Sequence, residues 1–165
     1  KRKIILPVDV VVGAKDGKLA KVVEIGASPH IFGAHSGKKD KSSFRSFDLK
    51  IKKLNLKKDQ SIFDIGPKTI KLFSHYIKKA NTLVWNGAMG YFEQHPYEYG
   101  TYSVARLLAS RAKGKAFGIT GGGETIEVLK KLHLMGDIDL ASTGGGSMLE
   151  YLSGKKLPGI QCLMK

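Results

Sequence analysis

Two glycine triplets, Gly121-Gly122-Gly123 and Gly144-Gly145-Gly146, constrain this chain more than any other feature. Each follows an apolar run of strand length (115–120 and 138–142), and each leads into a stretch with helical spacing (124–134 and 147–152). Strands alternating with helices in this way predict an α/β fold with a parallel sheet. Successive glycines let the backbone approach a ligand, and the first N–H groups of a helix lack partners within it. Phosphate is the natural ligand for such a loop. A third loop, Trp85-Asn86-Gly87-Ala88-Met89-Gly90, also follows an apolar strand, at 82–85. The carboxyl ends of parallel strands share one edge, so all three loops are expected to converge where open α/β sheets bind ligands. One such loop would be ordinary turn chemistry; two triplets in the same context indicate a site. The chain has no GxxxxGK[ST] and no GxGxxG after its first strand, which excludes a Walker-type NTPase and an ordinary dinucleotide-binding unit.

The remaining elements fit that frame. Residues 4–12 form an apolar run broken only by Pro7 and Asp9, expected as a strand of the parallel sheet covered on both faces. Lys15-Asp16-Gly17-Lys18 is turn chemistry, and 19–25 alternates as a short exposed strand does. No period is sustained over 26–60, which reads as loop with at most one short element. A strand is expected at 61–65. Pro67 then suits a first helical turn, with Ile70, Phe73, Ile77 and Ala80 on one face of a helix over 67–80. Residues 82–85 read as a buried strand and 86–92 as a loop. Tyr99-Gly100-Thr101 opens a helix that carries Val104, Leu107, Leu108 and Arg111 and runs to 114.

The 165 residues suit one domain, and 42% hydrophobic with 25% charged residues is ordinary for a soluble globular protein. No run approaches the roughly 18 apolar residues of a membrane span, and the start at Lys1 has no signal-peptide pattern. With no initiating methionine, the chain is expected to be a piece of a longer protein. Cys162 is alone, which excludes an internal disulfide and suits the reducing cytoplasm. The net charge of +14 is the compositional anomaly, and residues 1–60 hold 15 basic against 6 acidic side chains. Such a field attracts nucleotides and acidic metabolites as well as nucleic acid. The lysines from Lys38 to Lys58 are interspersed with Ser, Asp and Leu and lack interleaved stacking aromatics, so nucleic acid is not the expected partner. His30, His35, His75, His95 and His133 show no metal-ligand spacing, and no Ser-His-Asp set can be assembled.

The order of segments resembles the phosphoglycerate kinase family. The resemblance rests on Leu6-Pro7-Val8-Asp9-Val10-Val11-Val12, Asp64-Ile65-Gly66-Pro67-Lys68-Thr69, and Val84-Trp85-Asn86-Gly87-Ala88-Met89-Gly90-Tyr91-Phe92-Glu93. It continues through Gly121-Gly122-Gly123-Glu124-Thr125, Ser142-Thr143-Gly144-Gly145-Gly146-Ser147-Met148-Leu149-Glu150 and Gly154-Lys155-Lys156-Leu157-Pro158-Gly159. It covers nearly the whole chain outside 13–60. The resemblance implies a three-layer, Rossmann-like parallel sheet belonging to the carboxyl-terminal, nucleotide-binding domain of a two-domain kinase. Residues 1–165 would be part of that domain, without the amino-terminal domain that holds phosphoglycerate. The implied reaction moves a phosphoryl group between 1,3-bisphosphoglycerate and ADP, giving 3-phosphoglycerate and ATP with Mg2+, in a monomeric cytoplasmic enzyme of glycolysis.

Residue roles follow from the same resemblance. Asn86 and Gly87 would lie beside the nucleotide, Met89 and Phe92 would line the ribose and base region, and Glu93 would bond the ribose hydroxyls. Gly121, Gly122 and Gly123 would approach the phosphates, with a hydroxyl added by Thr125. Gly144, Gly145 and Gly146 would open the last helix toward the transferring phosphoryl group, and Gly123 would share that catalytic role. Glu124 stands where the family has the aspartate that serves magnesium. Ala88 stands at a usual proline, and Ser147-Met148 replaces a usual alanine-serine pair. Two other classes are expected to fail: a nucleotide-binding module without catalysis, and a basic nucleic-acid binder.

Overall fold

The computed structural model describes residues 4–25, 54 and 56–164. Most of the lysine-rich 26–60 stretch therefore lies outside the described residues, as does any short element there. Two three-stranded sheets are present among them. The first, in the order β2-β1-β3, joins β1 (Asp9–Gly13), β2 (Lys21–Glu24) and β3 (Ser61–Ile65), with both pairings antiparallel. The second, in the order β4-β5-β6, joins β4 (Thr82–Asn86), β5 (Phe117–Gly121) and β6 (Leu140–Ser142), with both pairings parallel. Five α-helices accompany them: α1 (Pro67–Lys79), α2 (Tyr99–Ala112), α3 (Gly123–Lys131), α4 (Gly145–Leu152) and α5 (Pro158–Gln161).

The first strand corrects an expectation. β1 is covered on both faces, as its apolar run requires, yet it belongs to an antiparallel sheet. Val10 and Val12 pack with Ile25, Val23 and Leu54 on one side. The other side meets the start of α1, where the Asp9 carboxylate accepts from the N–H groups of Lys68 (2.9 Å) and Thr69 (2.7 Å). An apolar run records coverage and not strand direction, because partners from distant sequence set the direction.

The parallel sheet builds the main core. Leu83 and Trp85 of β4 pack beneath Val104, Ala105 and Leu108 of α2 and Val128 and Leu129 of α3, with Phe92 in the same cluster. The opposite face is covered only in part. Met148 of α4 lies against Gly121, and a groove of about 580 Å3 is lined by Ile119 and Leu140 of the sheet and Tyr151, Leu152 and Ile160 of the terminal helices. Val84, Phe117 and Leu140 on that face stay 47%, 48% and 51% exposed. The buried strand expected at 82–85 thus alternates, with Leu83 and Trp85 in and Val84 out. α5 and a 3-10 turn over Met135–Asp137 were not foreseen; each is too short to leave a periodic signal.

Candidate phosphate site at the parallel-sheet edge

The three glycine-bearing loops do converge. Asn86, Gly121 and Ser142, the last residues of β4, β5 and β6, are register neighbours. From that edge the Asn86 side chain donates its Nδ2–H to the Gly145 carbonyl at 3.1 Å, and the Gly122 N–H donates to the Ser142 carbonyl at 3.0 Å. The Gly144 N–H is held by the Ser142 hydroxyl at 3.1 Å. A Cβ on Gly145 would stand 3.7 Å from the Gly122 Cα, so the starts of α3 and α4 lie against one another.

Glycine serves two of these positions for different reasons. Gly122 has φ 97° and ψ 148°, a region that side chains rarely enter. A side chain on Gly121 would overlap the end of Met148, which α4 lays across it. The Thr125 hydroxyl, fully buried, donates to the Gly121 and Gly122 carbonyls at 2.7 and 2.9 Å and so pins the loop from below.

Neither α3 nor α4 has a side-chain cap. Among the described residues no acceptor meets the N–H groups of Gly123, Glu124 and Thr125 in α3, or of Gly145 and Gly146 in α4. Unpaired donors at the positive end of a helix dipole form an anion-binding site. Two such ends side by side suit the adjacent charges of a polyphosphate. Gly123, Glu124, Gly144 and Gly146 are all exposed, so the edge is open to solvent.

The loop after β4 is built differently. Met89 and Gly90 donate their N–H groups to the Thr101 hydroxyl (3.0 and 3.2 Å), Tyr91 to the Phe63 carbonyl (2.7 Å) and Phe92 to the Gly90 carbonyl (2.9 Å). With these donors spent inside the protein, the run from Met89 to Phe92 offers a ligand no free main-chain N–H group. Gly87 has φ 98° and open space around it. Met89 is half-buried and Glu93 exposed, whereas Phe92 is 3% exposed within the core. Glu124 is exposed in the first turn of α3. No cluster of three or more metal-ligating side chains occurs among the described residues.

Sequence reasoning missed three residues that shape this region. Thr101 was visible only as part of a helix opening. Asp9 and Asp64 were visible as charges inside apolar runs, and a carboxylate there is a signal of a buried acceptor. Asp64 accepts from the N–H groups of Gly100 (2.7 Å) and Ile65 (2.8 Å).

Fold and site together define an α/β unit whose parallel strands lead at their carboxyl ends into two open, uncapped helix starts suited to phosphate groups. The family model for phosphoglycerate kinase matches residues 1–155. The phosphoglycerate kinase of Orientia tsutsugamushi (strain Boryong) is 41% identical over 128 residues, 74% of this chain and 32% of that protein. That of Pelotomaculum thermopropionicum is 46% identical over 101 residues, 61% of this chain and 25% of that protein. The solved phosphoglycerate kinase from Coxiella burnetii superposes with a TM-score of 0.66 at 32% identity, covering 94% of this chain and 33% of that one. The chain belongs to the phosphoglycerate kinase family. It spans about a third of the length of the curated relatives it matches.

Proposed function

We propose that this chain is the nucleotide-binding part of a phosphoglycerate kinase that reversibly transfers a phosphoryl group between 1,3-bisphosphoglycerate and ADP, giving 3-phosphoglycerate and ATP. The observation that carries the reading is the pair of uncapped helix starts meeting where the three parallel strands end. Their N–H groups would neutralise charge on the nucleotide phosphates and on the phosphoryl group in transit, already oriented before the reaction begins. Gly123, Gly144, Gly145 and Gly146 would act on the transferring group, while Gly121 and Gly122 let the backbone come close. Asn86 and Gly87 would flank the nucleotide, Met89 would line its base side with Phe92 backing it from the core, and Glu93 would accept from the ribose hydroxyls. Thr125 would act by holding the loop, since its hydroxyl donates to Gly121 and Gly122. The protein as a whole would work as a monomer in the cytoplasm, in glycolysis. No helix among the described residues is long and apolar enough to cross a membrane.

Magnesium fits the donor set. The ion takes most of its ligands from phosphate oxygens and water, so one exposed carboxylate beside the phosphate donors suffices on the protein side. Glu124 would hold it, and the bound ion would neutralise phosphate charge.

Calorimetry of the chain with ADP, with and without magnesium, and with adenosine tests the reading. Saturable ADP binding is expected, strengthened by magnesium and nearly absent for adenosine, with the magnesium benefit reduced in Glu124→Ala. Adenosine binding as tightly as ADP would contradict it. Binding that collapses with salt equally for ADP and for DNA would favour a general basic surface instead. A coupled kinase assay on the full-length gene product tests the transfer itself.

A further inference from the structure

We infer that Thr101 is a positioning residue for the nucleoside end of the site, an inference that rests on the nucleotide-binding reading above. Thr101 is fully buried in the first turn of α2. Its hydroxyl oxygen is the acceptor for two consecutive backbone N–H groups, those of Met89 (3.0 Å) and Gly90 (3.2 Å). The next two N–H groups go to main-chain carbonyls, so among the described residues this oxygen is the one side-chain acceptor for the N–H groups from Met89 to Phe92.

Thr101 is itself held in place. Its neighbour Gly100 donates to the buried Asp64 carboxylate at 2.7 Å, and Val104 and Ala105 of the same helix sit in the core. The path it imposes is tight. A side chain at Gly90 would overlap the Asp64 carboxylate and the Phe63 carbonyl, so the backbone passes where only glycine fits.

This path joins the two ends of the site. At its start Asn86 is bonded to Gly145 of the phosphate loops. At its far end stands Glu93, proposed to bond the ribose. By fixing the chain between them, the Thr101 hydroxyl sets how far Met89 and Glu93 lie from the phosphate donors without touching a ligand. It makes no hydrogen bond to α3, α4 or their loops. Its loss is therefore expected to affect the nucleoside end and spare the phosphate end.

The test compares ADP with inorganic pyrophosphate as ligands of the unaltered chain, Thr101→Val, Thr101→Ser and Thr101→Cys, alongside hydrogen exchange of the Met89 and Gly90 amides. Thr101→Val keeps the shape but removes the acceptor, and is expected to bind ADP about tenfold more weakly. It should bind pyrophosphate as before and exchange both amides faster. Thr101→Ser should restore ADP affinity and amide protection. Thr101→Cys, a weaker acceptor, should fall between and stands in if the valine variant does not fold. Unchanged ADP affinity in the valine and cysteine variants would overturn the inference, as would equal losses for ADP and pyrophosphate. Failure of the unaltered chain to bind either ligand would overturn the functional reading instead. Unaltered amide exchange in the variants would then separately remove the positioning role.

Discussion

The four longer helices among the described residues begin in two different ways. α1, which follows β3 of the antiparallel sheet, and α2, which follows β4 through the loop 87–98, have N–H groups of their first turns bound by buried protein carboxylates. Asp9 accepts from Lys68 and Thr69, and Asp64 accepts from Gly100. Both acids are almost fully buried, and a side chain on Gly66 would overlap Asp9 just as one on Gly90 or Gly100 would overlap Asp64. α3 and α4, which follow β5 and β6, begin with glycine, and among the described residues no acceptor meets their first N–H groups. All four helix starts carry the same positive dipole end. At α1 and α2 it binds the protein to itself; at α3 and α4 it is left open to solvent. The difference marks the site more sharply than the glycines alone, since glycines also surround the filled ends.

The contrast can be broken from either side. Asp9→Ala should have the largest effect. It strips the acceptor from the N–H groups of Lys68 and Thr69 and from the Thr69 hydroxyl at 2.6 Å. A loss of about 3 kcal/mol is expected in urea unfolding. Pyrophosphate affinity of the folded fraction should not change. Gly122→Ala attacks the other half. Forcing a side chain to φ 97° and ψ 148° should cost about 2 kcal/mol. Here calorimetry should also find weakened pyrophosphate binding, because the first turn of α3 must shift to relieve the strain. Intact affinity in Gly122→Ala would remove the open helix start from the account.

Asp64→Asn is expected to act more gently and through pH. Burial pushes the Asp64 carboxyl up from its ordinary 3.8 to about 6, against the pull of the Gly100 and Ile65 N–H groups, and the nearby Glu98 carboxylate adds to the rise. Between those values the folded chain holds a proton that the unfolded chain has released, so the Asp64 contribution falls as pH rises through about 6 and then levels. The stability of the unaltered protein minus that of Asp64→Asn should therefore shrink from pH 4 to pH 6 and stay level above. A constant difference across a urea series at those pH values would show that Asp64 does not titrate there.

Much of this was legible in the sequence, for local reasons. Strand, glycine loop and helix are contiguous at 117–131 and 140–152, so spacing alone exposed both open helix starts. Contacts between distant residues were hidden. Asp9 lies 60 positions from Thr69, and nothing local marks them as partners. The direction of β1 was misjudged because its apolar run is equally good in either kind of sheet. Val84 was expected to be buried because its neighbours are apolar, but the helices cover only the face that carries Leu83 and Trp85. Thr101 was beyond reach, since the two N–H groups it receives belong to a loop 11 and 12 residues earlier.

The most direct test of the contrast is a titration of the isotope-labelled chain with MgADP, followed through its backbone amide resonances. The amides of Gly123, Glu124, Gly145 and Gly146 should shift and saturate together, while those of Lys68, Thr69 and Gly100, already bound to carboxylates, should stay in place. Shifts at the filled helix starts, or none at the open ones while ADP binds, would contradict the assignment of the phosphate site to α3 and α4.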